Sequence, residues 1–339
     1  MRTQSAAISL FPGPAAGPTP QPARRAPTVA IVGPGVVGAT TAYSLVLAGV
    51  AGEIILIGRD HKRVHGQVHD LLDATLYTHP TRVRSGDFAD AARADVIVVT
   101  AGISPSPAHT SRLEDLRGSA AILQEVVAAL ACHDPQGVLV VASNPVDVLT
   151  HASWKWSRLP PGRVIGSGTA LDTSRFRWRL AQRYRVAPAD VQASVLGEHG
   201  DSQVALLSGA RIAGTPLQEF CRERMLCYDE AALRKIAEEA RTGGLEIIRS
   251  KGATCYGISA ALTRIVGAIL RDERAVLTIS TLAPERMGLG QVYLSLPAIL
   301  GREGVAGVLP VSLSQTEHEA LRRSADVLKH HVGLLQLPQ

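Results

Sequence analysis

The chain has 339 residues, 46% of them hydrophobic, which suits two domains sharing a substantial core. Its formal net charge is +5, but residues 1–26 hold three arginines and no acid, so the remainder carries only +2 and no nucleic-acid partner is implied. Four scattered cysteines, Cys132, Cys221, Cys227 and Cys255, lack the spacing of a disulfide framework or a metal knuckle; they read as reduced, mostly structural thiols, and no metal is expected.

No apolar run approaches the ~20 residues of a membrane-spanning helix, so a soluble, cytoplasmic protein with no membrane partner is expected. Residues 1–26 contain Pro12, Pro14, Pro18, Pro20 and Pro22 and read as a disordered extension. Their acid-free composition weakly resembles an organellar transit peptide, but the prolines deny them a long amphipathic helix.

From Thr28 onward, short apolar runs alternate with helix-length segments, the rhythm of βαβ units and a mostly parallel sheet. The spacing predicts a strand at Val29–Val32, a helix over Val36–Ala48, a strand at Glu53–Ile57 and a helix around Lys62–Leu72. Buried strands follow at Val96–Thr100, Val138–Ala142 and Val164–Ile165, separated by helices over Arg112–His133 and Val146–Trp156. Five or six parallel strands result. Beyond Gly166 the pattern is mixed: a basic helix near Thr173–Arg185, strands around Val191–Leu196 and Gln203–Leu207, and long helices at Asp229–Lys251 and Ser259–Leu270. A strand pair near Ala275–Ser280 and Gln291–Ser295 precedes a final helix, Thr316–His331. Three segments are expected: the extension 1–26, a dinucleotide-binding domain 27–166 and a catalytic domain 167–339.

The first strand runs into Gly33-Pro34-Gly35-Val36-Val37-Gly38, a GxGxxG turn opening a helix. Gly33 permits the tight turn, Gly35 lets backbone approach a pyrophosphate, and Gly38 allows close helix–sheet packing, while the free N–H groups at the helix start favour an anion. The same residues without the surrounding βαβ rhythm would be only a glycine-rich turn. The second strand ends at Gly58-Arg59-Asp60, where NAD-binding folds usually carry a carboxylate for the ribose 2′-hydroxyl. Gly58 removes that carboxylate and Arg59 could pair with a 2′-phosphate, leaving NADP as an alternative to NAD; Asp60 is an imperfect substitute for the missing acid. Thr100, Ala101 and Gly102 after one strand, and Ser143 and Asn144 after another, complete the candidate cofactor edge.

Three later segments carry the chemistry: Ser143-Asn144-Pro145-Val146-Asp147, Gly168-Thr169-Ala170-Leu171-Asp172-Thr173-Ser174-Arg175-Phe176, and Gly197-Glu198-His199-Gly200-Asp201-Ser202. Taken singly, His199 is an ordinary histidine, Asp172 and Arg175 an i,i+3 ion pair, and Thr254 a helix cap. Together with the glycine-rich turn, Lys251-Gly252-Ala253-Thr254 and Tyr256-Gly257-Ile258, they closely resemble the L-lactate dehydrogenases of the lactate/malate dehydrogenase superfamily, over residues 28 to 333. The resemblance implies an α/β fold, with a Rossmann-type doubly wound parallel sheet followed by a mixed α+β catalytic domain. It also implies reversible hydride transfer between (S)-lactate and NAD(P), giving pyruvate, in a self-associating dimer or tetramer.

Oxidising a 2-hydroxy acid sends a hydride to nicotinamide and a proton to a base, and an imidazole titrates near enough to neutrality to work in both directions. His199 fits that role, with Asp172 fixing its tautomer and stabilising the imidazolium. Arg175 is placed to clamp the substrate carboxylate. By resemblance, Asn144 bonds the substrate oxygen and Thr254 lines the pocket.

After Thr100 the family has a closing loop that delivers a catalytic arginine; Arg112, before Leu113 and Glu114, matches it. This loop departs from the usual pattern and is one residue longer, so either Pro105 or Ser106 occupies the specificity position. Neither is charged, and no arginine lies between Gly102 and Arg112 to receive the second carboxylate of a dicarboxylic acid. An uncharged 2-keto acid is therefore favoured over oxaloacetate. Arg177 matches one half of the fructose 1,6-bisphosphate site of some bacterial relatives, but Gln192 stands where the other half has histidine, and Arg177, Arg179 and Arg183 read as a solvated basic face. The alternatives are a 2-hydroxy-acid dehydrogenase for bulkier substrates, an NADP-dependent malate dehydrogenase, and, from another class, a catalytically silent nucleotide-binding regulator.

Overall fold

A computed structural model of the chain describes residues 25–103 and 112–338. The disordered extension expected over residues 1–26 falls almost wholly outside the described residues, as does the altered loop containing Pro105 and Ser106.

The first half alternates β1 (Thr28–Val32), α1 (Val36–Ala48), β2 (Glu53–Ile57), α2 (His61–Thr75), β3 (Arg82–Ser85), a short α3 (Phe88–Ala92), β4 (Val96–Val99), α4 (Arg112–Ala131), β5 (Val138–Val141), α5 (Val146–Ser157) and β6 (Val164–Gly166). These six strands run parallel in the order β3-β2-β1-β4-β5-β6. The order reverses between β1 and β4, and such sheets bind ligands outside the strands' carboxyl ends at that point. Side chains alternate faces along each strand: Val29 and Ile31 join the apolar layer beneath α1 and α2, whereas Ala30 and Val32 join the layer beneath α4 and α5. Both faces of the sheet are thus buried, which is why its strands read as near-continuous apolar runs.

The second half comprises α6 (Ala170–Tyr184), β7 (Val191–Gln192), β8 (Val195–Leu196), β9 (Val204–Ala205), β10 (Arg211–Ile212), β11 (Thr215–Pro216), α7 (Leu217–Glu223), α8 (Glu230–Lys251), α9 (Tyr256–Leu270), β12 (Ala275–Leu282), β13 (Tyr293–Gly301), β14 (Gly304–Val308) and α10 (Gln315–Gly333). Strands β12–β14 add to β6 in antiparallel fashion, and one nine-stranded sheet runs from β14 to β3. The sheet therefore crosses the boundary expected at residue 166. The stretch Val191–Leu196, expected as one strand, splits into β7 and β8, which pair with different partners. A separate apolar cluster, built on Phe176, Leu180, Val195, Ile212 and Leu233, holds α6 and α8 to the small sheets.

Several helix ends follow from single residues. The Asp60 carboxylate accepts the Arg63 N–H at 3.0 Å and caps α2, and Ser314 and Glu317 form a reciprocal capping box on α10. By contrast α1, whose N-cap is Gly35, has no side-chain cap, so its first amides are left available to an anion.

Candidate active site

The glycine-rich turn lies against the ends of β1 and β4. Gly33 has φ of +91°, and a Cβ there would lie 2.7 Å from the Ala101 nitrogen. At Gly38 a Cβ would come within 2.5 Å of the Gly33 carbonyl oxygen, which also accepts the Thr100 Oγ1–H at 2.6 Å. These two glycines are required by close backbone approach. Gly35 differs: its Cβ would meet nothing nearer than 4.0 Å, so its backbone faces open space at the uncapped start of α1, where Val36 and Val37 follow. Ser143 donates to the Ala101 carbonyl at 2.5 Å and ties the end of β5 to the same edge, beside Gly102. Residues Gly33, Gly35, Gly38, Thr100, Ala101 and Ser143 thus converge at one end of the parallel sheet, and the open cradle at Gly35 fits a dinucleotide pyrophosphate. Gly58, at the tip of β2, lies against this turn: a Cβ there would stand 3.1 Å from Pro34 Cδ. Arg59 is exposed and makes no ion pair among the described residues.

A second group is assembled from α6 and the loop between β8 and β9. Helix α6 begins at Ala170, three residues before the expected start, which places Asp172 in its first turn and Arg175 one turn on. Asp172 is buried, with its side chain 2% exposed; Oδ2 meets His199 Nδ1 at 2.5 Å, and Oδ1 accepts from Arg175 Nη1 at 3.2 Å. One carboxylate therefore bridges the imidazole and the guanidinium. With Nδ1 engaged, Nε2 of His199 is the nitrogen left for a substrate, and the side chain retains 27% of its exposure. Burial disfavours the imidazolium, but the Asp172 carboxylate outweighs it and holds the His199 pKa above that of an ordinary histidine. Burial likewise pushes the Asp172 carboxyl up, and His199 with Arg175 brings it below the usual carboxylate range.

The loop that presents His199 is fixed by three residues that sequence reading did not single out. Ser295 of β13 exchanges backbone hydrogen bonds with Gly197 at 3.0 and 2.8 Å, while its hydroxyl accepts the Thr169 N–H at 2.9 Å ahead of α6. This one residue thereby braces both halves of the His–Asp pair. Ser324 of α10 accepts the Glu198 N–H at 2.8 Å. Asp147, in the first turn of α5, accepts the His199 N–H at 2.6 Å; burial pushes its carboxyl up to about 6, with the His199 N–H partly offsetting this. Only Asp147 had a sequence signal, as an acid inside the Asn144-Pro145-Val146-Asp147 segment, where the Asn144–Pro145 peptide is cis.

The remaining expectations are placed as follows. Asn144 is exposed just beyond β5, and Thr254 lies half-buried between α8 and α9; neither hydrogen-bonds to the His199 group. Cys255, not Thr254, is the N-cap residue of α9. Arg112 opens α4, but its side chain falls outside the described residues. The basic face expected of Arg177, Arg179 and Arg183 is not a simple solvated one. Arg177 is half-buried and donates to the Ala193 carbonyl at 2.8 Å, and Arg179 pairs with Glu239 at 2.6 Å. The four cysteines are free, with Cys221 and Cys255 buried but Cys132 and Cys227 exposed, so half rather than most are interior.

Comparison with known proteins agrees with this geometry. Residues 28–166 match the NAD binding domain of lactate/malate dehydrogenases, and residues 169–335 match their alpha/beta C-terminal domain. The chain is 46% identical to the L-lactate dehydrogenase of Thermus aquaticus over 301 residues, covering 89% of this chain and 97% of that protein. It is 42% identical to the L-lactate dehydrogenase of a Synechococcus strain over 306 residues, covering 90% and 98%. Among solved structures, the minor L-lactate dehydrogenase of Enterococcus mundtii superposes with a TM-score of 0.89 at 35% identity, covering 93% of this chain and all of that one.

Proposed function

Because the chain belongs to the lactate/malate dehydrogenase family, whose first domain binds NAD, we propose that it is an L-lactate dehydrogenase interconverting (S)-lactate and pyruvate. The observation that carries this reading is the contiguous Arg175–Asp172–His199 group, which the His199 N–H ties to Asp147 in the segment that follows Ser143 of the dinucleotide cradle. When bound, the nicotinamide supplies or accepts the hydride. Gly33, Gly35, Val36, Val37 and Gly38 would hold the pyrophosphate, with Thr100, Ala101, Gly102, Ser143 and Asn144 along the same edge.

In the direction of pyruvate reduction, Arg175 holds the carboxylate and Nε2 of protonated His199 donates its proton to the carbonyl oxygen. In the reverse direction neutral His199 takes the hydroxyl proton, and Asp172 stabilises the resulting imidazolium. The raised His199 pKa keeps the proton donor populated towards neutral pH, which suits reduction. Arg112 polarises the carbonyl, Asn144 bonds the substrate oxygen and Thr254 lines the pocket. The paired His–Asp–Arg group argues against a silent regulator, which would have no use for a proton carrier. Residues 27–166 form the dinucleotide-binding domain and 167–339 the catalytic domain, although they share one sheet and Arg112 and Asn144 serve the substrate from the first of them.

A specific observation favours NADP as a second cofactor. Asp60, the remaining acid after β2, spends a carboxylate oxygen capping α2, while Gly58 offers no charge and Arg59, exposed and without an ion pair among the described residues, could meet a 2′-phosphate. We also assign a cytoplasmic location and self-association as a dimer or tetramer; no described helix is long and apolar enough to cross a membrane, and Tyr77 and Trp178 are left exposed. The test is a panel of pyruvate, 2-ketobutyrate, phenylpyruvate and oxaloacetate with NADH and NADPH. Turnover of pyruvate but not oxaloacetate supports the reading. Cofactor binding without turnover of any 2-keto acid would support the silent regulator instead. A large preference for NADH over NADPH would remove the role given to Arg59.

A further inference from the structure

Helix α2 carries three of the chain's eleven histidines, His61, His65 and His69, spaced four residues apart. Residues at i and i+4 of a helix are neighbours on one face. The buried residues of α2 are Val64, Val68 and Leu71, so the histidines form a separate stripe, and all three are exposed. The fold does not use them: Asp60 caps the helix start, and His65 and His69 make no hydrogen bond or ion pair among the described residues. Their one specific contact is with each other. The ring centroids of His65 and His69 lie 4.3 Å apart, with the planes inclined at 62°.

Two imidazoles that ligate one ion at ~2.1 Å, with a right or tetrahedral angle between them, have centroids about 4.5–5 Å apart. Small side-chain rotations therefore suffice to aim a ring nitrogen of each at a common ion. Imidazole nitrogen suits Zn²⁺ and similar transition ions, whereas Mg²⁺ and Ca²⁺ demand oxygen ligands. Two histidines at i and i+4 of one helix are also the spacing by which a helical H-E-x-x-H segment grips zinc. We propose that His65 and His69 form a chelating site for a divalent cation of the Zn²⁺ class on the outer face of α2, joining two successive turns of the helix. Among the described residues no third His, Cys, Asp or Glu completes a larger metal group with them, so water fills the remaining coordination positions. The site shares no residue with the Arg175–Asp172–His199 group, and its occupancy acts on stability and not on the hydride transfer.

The test is calorimetric titration of the full-length protein with ZnCl2, and separately with MgCl2, comparing wild type with His65→Gln, His69→Gln and the double variant. Wild type should bind one equivalent of Zn²⁺ more than any of the three variants, and no Mg²⁺ at this site. Saturating Zn²⁺ should raise the Tm of wild type by about 2 °C or more relative to its effect on the variants. Pyruvate reduction without added metal should be the same in all four proteins, which separates a lost site from a damaged fold. His330 and His331 of α10 are adjacent in sequence, point to different sides of their helix and have centroids 5.8 Å apart, so His330→Gln should leave the Zn²⁺ stoichiometry intact. Equal Zn²⁺ stoichiometry in wild type and the double variant, including no saturable binding by either, overturns the proposal.

Discussion

Replacing Asp172 with asparagine removes one negative charge while keeping nearly the same shape. The carboxylate is buried and lies 2.5 Å from His199 Nδ1, which puts the two charge centres about 4 Å apart, where opposite charges attract by about 4 kcal/mol at an effective dielectric constant of ~20. That attraction exists only when His199 is protonated, so it is lost from the state that donates to pyruvate. Each ~1.36 kcal/mol is a factor of ten in rate, and kcat/KM for pyruvate should fall by about 10²–10³-fold. The pH profile supplies an independent sign. Reduction needs the imidazolium, so kcat/KM is highest at low pH and declines as pH rises through the His199 pKa. Since Asp172 is what raises that pKa against the effect of burial, the decline must begin at lower pH in Asp172→Asn. Initial rates from NADH absorbance across a pH series measure both effects, with NADH binding as a control for folding. A loss below about tenfold with an unmoved inflection would refute the reasoning, because a preserved fold would then be working without the charge.

Three further outcomes are expected. Arg175→Lys keeps the charge but loses the planar fork, so KM for pyruvate should rise by about 100-fold with the Kd for NADH unchanged, measured by steady-state kinetics and fluorescence titration. Gly38→Ala places a methyl group 2.5 Å from the Gly33 carbonyl oxygen; overpacking of about 2 kcal/mol should lower Tm by about 5 °C and weaken NADH binding in a thermal shift assay. Asp147→Ala strips the His199 N–H of its acceptor, a loss of about 1–3 kcal/mol that should lower both Tm and kcat, and Asp147→Asn should largely restore both by returning an oxygen to that position.

Much of the fold was legible because its strands are buried on both faces and its helices are amphipathic, two patterns that survive in a one-dimensional string. Helix α1 and strand β2 have the bounds that periodicity gave them. Strand β3 was missed because Arg82-Val83-Arg84-Ser85 is a short sheet edge with one buried side chain; Arg84 is held by Glu53 and Asp90, partners remote from any local pattern. Strand β14 reads as a glycine-rich loop, and its pairing with β13 depends on Gly304 at φ +90° after a two-residue turn. That β12 continues the first sheet rests on one register pair, Ser280 with Gly166, which no spacing announces.

The candidate site divides in the same way. His199, Asp172 and Arg175 were found because the chemistry demands those residue types, and the i,i+3 spacing of the last two is a helical one. Ser295, Ser324 and Asp147 act through backbone amides of the His199 loop; Asp147 lies in a segment the sequence already marked, but the two serines brace the loop from distant elements and leave no signature in sequence.

The proton-carrying role of His199 is tested most directly by His199→Ala, measuring NADH affinity by fluorescence and pyruvate reduction by single-turnover kinetics on the same preparation. The predicted result is a Kd for NADH close to that of wild type together with a fall in turnover of about 10³-fold or more, since the role proposed for His199 is on the substrate's proton and not among the residues proposed to hold the dinucleotide. Retained turnover, or an equal loss of cofactor binding and turnover, would contradict it.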